Sequence, residues 1–498
     1  MIALLIEKLL AYATHHLFLQ DDDKVYLRNL LLRKLNVSAP YDGEFDDAEV
    51  AALDVPDSLI DELRLYVSHT LKYDELKTEL FVEEIMGDLT PLPSTIIQTF
   101  WALYDVHPLA ATEYFYNLCI KSNYIRKTSI DKNIKWISKD GLEISINLSK
   151  PEKDNKDIRK LSKVVSTKYP KCVLCLENLG YQGRNDHPAR ETLRIIPLQF
   201  DKEKWFWQFS PYGYYDEHLI VISNEHIPMK VSRQNMSKLF GFIDLFPHYF
   251  IGSNSDLPIT GGSILTHEHF QGGRHVFPMM RAQDAFVIQN SKFPQIHFSY
   301  LDFYNSAFKL VSSDKEALLD MAEYINNKWQ AFSDPSVDIL ASSNGERHSS
   351  ITSILTKHND EYTLYLILRN NRCDETHPDG IFHAHHQYHH IKKEGIGLIE
   401  AMGLFILPPR LKRQSEIITE IIEQNRPSEK YLLEHPDLEQ FVEMINELKT
   451  KHSNDVASDV REYISDVCKN ILLNTSVFKK DDNGQKALNR FIATLEVN

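Results

Sequence analysis

The segment Gly261-Gly262-Ser263-Ile264-Leu265-Thr266-His267-Glu268-His269-Phe270-Gln271-Gly272-Gly273 concentrates the residue types able to do chemistry. In a strand successive side chains alternate, so His267, His269 and Gln271 are expected on one face. Flanking glycines leave room for a phosphate and offer unencumbered backbone N–H donors. An imidazole is a competent nucleophile toward phosphorus, because at about pH 7 it is partly neutral and it leaves again readily. A carboxamide beside it can donate to the phosphoryl group without competing for the proton. Two histidines so spaced also suit a metal or a packing role, and on spacing alone the readings stand level.

Two further constellations accompany it. Cys172-Val173-Leu174-Cys175 is half of a zinc knuckle or a redox pair, or else two buried reduced cysteines. His383, His385, His386, His389 and His390 form a tract that reads either as a solvated polar stretch or as ligands for a metal or a sugar phosphate.

Elements must hold these groups in place. Leu5, Leu9 and Leu10, then Leu27, Leu30 and Leu31, recur at helical spacing, as do Leu59, Leu63 and Val67 after Pro56, and Ser94 is expected to open another helix. At Leu142, Ile144, Ile146 and Leu148 the period changes to two, which marks a strand. Residues 205–209, 218–222 and 363–368 are further strands. After Pro408-Pro409 the helical pattern returns at Ile417, Ile418, Ile421 and Ile422, then at Phe441, Val442 and Ile445. The expected class is α+β: a helical front, a sheet-rich middle and a helical tail.

With 498 residues, 43% hydrophobic and 25% charged, the chain has material for two or three globular cores. A formal charge of −15 argues against a general nucleic-acid binder, although a local basic pocket remains compatible with a small phosphorylated substrate. Five cysteines do not suggest a disulfide framework. The first residues lack a signal-peptide pattern, and no uncharged apolar run of about 18 residues offers a membrane span. A cytoplasmic protein is expected.

His267-Glu268-His269-Phe270-Gln271 resembles the His-x-His-x-Gln signature of galactose-1-phosphate uridylyltransferases, a branch of the histidine-triad superfamily. Glu268 stands where the more familiar branch has proline, which resembles the second sequence class, found in bacteria. Asn147-Leu148-Ser149-Lys150-Pro151-Glu152-Lys153-Asp154, Ser210-Pro211-Tyr212, Tyr215-Asp216-Glu217-His218, His390-Ile391-Lys392-Lys393-Glu394 and Gly397-Leu398-Ile399-Glu400-Ala401-Met402-Gly403 resemble that class too. The resemblance implies two histidine-triad-like antiparallel-sheet units at 141–285 and 286–412, after a helical extension at 1–140 and before a helical tail at 413–498. It implies His269 as uridylyl acceptor, Gln271 on the transferred phosphoryl group, Asn254 and Ser263 as phosphate contacts, and Glu400 as a reader of hexose hydroxyls. It further implies a structural zinc on Cys172, Cys175, His226 and His267, the substrates UDP-glucose and galactose-1-phosphate, and a homodimer. A histidine-triad nucleotide hydrolase or phosphorylase is one alternative, disfavoured by Gln271, where hydrolases usually carry a third histidine. A histidine-rich metal-binding protein without turnover is the other.

Overall fold

A computed structural model describes residues 2–149, 169–262 and 264–496. Ser263 and the part of the 147–154 motif from Lys150 onward lie outside the described residues. The chain divides into two compact units. The first comprises Met1–Lys132, Lys153–Gly213 and Glu217–His226; the second comprises Asn133–Glu152, Tyr214–Asp216 and Ile227–Asn498.

In chain order the front carries helices α1 (Ile2–His16), α2 (Asp21–Lys34), α3 (Asp47–Ala51), α4 (Asp57–His69), α5 (Glu75–Leu89), α6 (Pro93–Val106), α7 (Pro108–Lys121) and α8 (Lys127–Asp131). Then come strands β1 (Ile134–Ile137), β2 (Glu143–Ile146), β3 (Ile196–Phe200), β4 (Glu203–Phe209) and β5 (Leu219–Ser223). Helix α9 (Arg233–Leu245) precedes β6 (Phe250–Ser253), β7 (His269–Gly273), β8 (Asp284–Val287), β9 (His297–Leu301) and β10 (Ala307–Ser312). Helix α10 (Lys315–Ala331) precedes the short β11 (Ser342–Ser343) and β12 (Glu346–Arg347), then β13 (Ser349–His358) and β14 (Glu361–Asn370). Helix α11 (Leu398–Ala401) and β15 (Leu404–Leu407) lead into the tail: α12 (Arg410–Glu423), α13 (Ser428–Glu434), α14 (Val442–Thr450), α15 (Val456–Thr475) and α16 (Asp482–Thr494). The class is α+β, and none of the described helices is long and apolar enough to cross a membrane.

In the first unit the apolar stripes of the helices meet three consecutive antiparallel strands, β3-β4-β5. Leu5, Leu9 and Leu10 of α1 and Leu59, Leu63 and Val67 of α4 are buried, as their spacing requires. Helix α6 begins at Pro93, one residue before the expected Ser94, because proline's fixed φ and missing N–H suit the first helical position. Phe100 of α6 and Phe115 of α7 pack edge-on against Trp207 of β4, with ring centroids 5.9 and 5.1 Å away.

In the second unit the strands follow the order β7-β6-β13-β14-β10-β9-β8, while β1-β2-β15 form a separate sheet in which β2 and β15 run parallel. Strands β13 and β14 are joined through the two residues Asn359-Asp360, with Asn359 at φ 52°, a left-handed conformation that asparagine tolerates. Pairing register sorts the faces. Gln271 lies opposite Gly252, Gly252 opposite Ile354, and Ile354 opposite Tyr365, so these share one face, together with His269, Ile367 and Arg369 at even spacing. Ile354, Tyr365 and Ile367 join Leu398, Met402 and the tail helices in a hydrophobic core on that side. On the opposite face Tyr362 meets Phe240 of α9 at 5.1 Å. Helix α9 therefore covers one face of this sheet and leaves the other to the histidine motif and the 395–402 stretch. Along the chain, a three-strand meander, a helix and a strand pair occur twice: β3-β4-β5, α9, β6-β7, then β8-β9-β10, α10, β13-β14.

Candidate active site and metal-capable cluster

The strand expected to carry both motif histidines is shorter than the alternation argument assumed. β7 begins at His269, and His267 lies just before it. Residues 265–268 are held by two backbone bonds instead: Met229 N–H donates to Leu265 O at 2.9 Å and Glu268 N–H to Ile227 O at 2.7 Å. Alternation therefore governs His269 and Gln271 but not His267.

His269 is buried, and its Nδ1 lies 2.7 Å from the carbonyl oxygen of His267. A carbonyl can only accept, so Nδ1 bears the proton and the lone pair sits on Nε2. Burial pushes the imidazole down to about 4, outweighing the carbonyl bond that favours the cation, and the ring is neutral at about pH 7. Gly252, across from Gln271, has no room for a side chain: a Cβ there would stand 2.5 Å from Leu398 Cδ1. The bare backbone lets Leu398 and its neighbours lie on the face that carries Gln271.

Asn254 follows β6, is buried, and accepts from Leu398 N–H through Oδ1 at 2.8 Å. Its Nδ2 stands 2.9 Å from where a Cβ on Gly262 would be, so that glycine makes way for the amide. A Cβ on Gly397 would lie 3.4 Å from Asn254 Oδ1 and 3.7 Å from Glu400 Oε2. The fold thus gathers Asn254 and Glu400 around one glycine. Ser263 lies outside the described residues.

Around Glu400 are two buried cations to which the sequence alone assigns no role. Lys392 Nζ lies 3.0 Å from Glu400 Oε1 and donates to Ile406 O at 2.9 Å. Burial alone would depress Lys392; Glu400 and then Glu394 more than restore it, so it stays charged above the usual lysine range. Arg369 is 1% exposed and donates from Nη2 to Ile396 O at 2.6 Å, while its Nε and Nη1 have no partner among the described residues. Burial lowers it to about 10 against the pull of Glu400, which leaves it cationic. The one signal in the sequence was an arginine ending the apolar run of β14.

The histidine tract is mostly occupied with its own backbone. His383 Nε2 accepts from Ile396 N–H at 3.2 Å, while His385 and His389 bond the carbonyls of Ile381 and Ala384 at 3.0 and 3.1 Å. His390 packs edge-on against Phe441 at 5.1 Å. Among the described residues no metal-capable group forms there.

In the first unit, Cys172 and Cys175 do come together with His226. Cys172 Sγ and Cys175 Sγ are 3.6 Å apart, and Cys175 Sγ is 3.2 Å from His226 Nδ1. Leu174 N–H points to Cys172 Sγ at 3.4 Å, the turn of a Cys-x-x-Cys knuckle. Tetrahedral zinc with bonds of about 2.3 Å to sulfur and 2.0 Å to nitrogen sets ligand edges of roughly 3.8 and 3.5 Å, close to these separations. The cluster could hold a metal ion, and its donor set is compatible with zinc.

Comparison with known proteins places the chain in a family. The N-terminal domain of galactose-1-phosphate uridyl transferases matches residues 53–228, and the C-terminal domain matches residues 242–430. The galactose-1-phosphate uridylyltransferase of Clostridium acetobutylicum is 42% identical over 498 residues, covering 98% of this chain and 99% of its own. That of Caldanaerobacter subterraneus is 42% identical over 511 residues, covering 98% and 97%. Among solved structures, yeast Ap4A phosphorylase Apa2 matches with a TM-score of 0.31 and 12% identity, over 59% of this chain and 89% of that one. The chain belongs to the galactose-1-phosphate uridylyltransferase family, a family of nucleotidyltransferases.

Removing Lys392 would strand the buried Glu400 carboxylate. Lys392→Met is expected to cost about 3–5 kcal/mol in urea unfolding, and the double variant with Glu400→Gln clearly less. A single variant within about 1 kcal/mol of the parent would contradict the pairing.

Proposed function

We propose that this enzyme transfers a uridylyl group from UDP-glucose to galactose-1-phosphate through an adduct on His269. The observation that carries the reading is the bond from His269 Nδ1–H to the His267 carbonyl, which leaves a neutral ring with its lone pair on Nε2. Nε2 attacks the α-phosphorus of UDP-glucose, the bond to the bridging oxygen breaks, and glucose-1-phosphate leaves. A phosphate oxygen of galactose-1-phosphate then attacks the same phosphorus, the N–P bond breaks, and UDP-galactose departs. Gln271 donates to the phosphoryl group, Asn254 and Ser263 contact phosphate oxygens, and Glu400 accepts from hexose hydroxyls. The buried cations Arg369 and Lys392 favour anionic substrates within an acidic chain. Residues 141–285 would form the catalytic unit and 286–412 the supporting one, in a cytoplasmic homodimer.

Zinc on Cys172, Cys175, His226 and His267 would be structural. The ion would fix the loop ahead of β7 and take no part in the displacement. Purified protein should carry about one equivalent of zinc, and Cys172→Ser should lower both zinc content and melting temperature. An equally stable, metal-free and fully active Cys172→Ser protein would rule the site out.

The reaction itself is tested by initial rates with both substrates varied. Parallel double-reciprocal lines are expected, and His269→Ala should lose at least about 10³-fold in kcat while staying folded by circular dichroism. Intersecting lines, or an active His269→Ala enzyme, would contradict the mechanism. Slow hydrolysis of UDP-glucose without an acceptor separates transfer from the hydrolase alternative.

A further inference from the structure

Glu268 sits between the two motif histidines, yet its carboxylate leaves the chemical face altogether. It is 4% exposed, accepts from Asn235 Nδ2 at 2.7 Å through Oε1, and lies 3.6 Å from Lys238 Nζ through Oε2. Both partners are buried and belong to the first turns of α9. Asn235 is itself fixed, because the Ser232 hydroxyl accepts from its backbone N–H at 3.2 Å as the helix cap. The positive end of the helix favours a carboxylate there. Burying an ion pair brings little net stability, so a buried glutamate beside a reacting group calls for another reason.

The peptide between His267 and Glu268 supplies one. Its N–H donates to Ile227 O at 2.7 Å, and its C=O accepts from His269 Nδ1 at 2.7 Å. One peptide plane therefore fixes both the tautomer and the ring orientation of His269, and the Glu268 side chain ties that plane to α9. We infer that Glu268, held by Asn235 and Lys238, is a positioning residue: it holds the carbonyl that orients His269 for attack and touches no substrate. The inference rests on His269 being the uridylyl acceptor.

Rapid-quench measurement of uridylyl transfer from UDP-glucose labelled at the α-phosphorus tests it. A displacement of about 1 Å at a reacting group costs on the order of 10²-fold in rate. Glu268→Ala should therefore form adduct, and turn over, roughly 10²-fold more slowly, with apparent affinity for UDP-glucose within about threefold of the parent. Glu268→Gln should recover part of the rate, since its amide oxygen can still accept from Asn235. Asn235→Ala should slow the same step, and the double variant with Glu268→Ala should be no slower than Glu268→Ala alone. A Glu268→Ala protein with lowered melting temperature but parental adduct rate would overturn the inference, as would weakened affinity at unchanged rate. If Glu268→Ala does not fold, Asn235→Ala, which leaves the lysine in place, decides by the same two outcomes. Absence of label on the parent enzyme would overturn this inference together with the His269 mechanism. A labelled parent with unaffected variants would overturn the inference alone.

Discussion

In the proposed mechanism the chemistry depends on where one proton sits. The His269 ring is buried and donates its Nδ1 proton to the carbonyl two residues back, 2.7 Å away. That carbonyl is a weak acceptor compared with a carboxylate, so the ring is oriented without being made strongly basic. In the proposed double displacement, a nucleophile that must also leave would benefit from that restraint. The surrounding structure keeps the carbonyl still: Glu268 N–H bonds Ile227 O, Met229 N–H bonds Leu265 O, and β7 is registered against β6 from Gln271 to Gly273.

The sheet of the second unit separates structure from chemistry by its two faces. On one side α9 meets Tyr362 through Phe240 and Glu268 through Asn235. On the other, Gly252 admits Leu398, and Asn254 holds the backbone of Leu398. The stretch around Gly397 is gripped further by Arg369 at Ile396 O and by His383 at Ile396 N–H. Within a chain of net charge −15, Arg369 and Lys392 are buried near Glu400, a local basic character compatible with a phosphorylated ligand.

Much of this was legible in the sequence because it rests on local periodicity. The stripes of α1 and α4, the apolar run of β14 and the return of helices after Pro409 all follow from spacing alone. The motif His267-Glu268-His269-Phe270-Gln271 and its resemblance point to the family from the sequence alone. What escaped depends on partners far along the chain. Nothing at 261–268 shows that Glu268 N–H pairs with Ile227, so a regular strand was expected through His267. The tie from Glu268 to Asn235 spans 33 residues, and the approach of Asn254 to Leu398 spans 144. Arg369 reads as the polar end of a strand until the residues packed over it are known.

The central claim is that His269 Nε2 receives the uridylyl group. Its most direct test is to incubate the enzyme with UDP-glucose alone, isolate the protein, and locate the adduct by peptide mass fragmentation and phosphorus NMR. The account predicts a single phosphoramidate on His269, lost in acid, kept in base, and discharged as UDP-galactose when galactose-1-phosphate is added. An adduct on any other residue, or release of glucose-1-phosphate without an adduct, would contradict it.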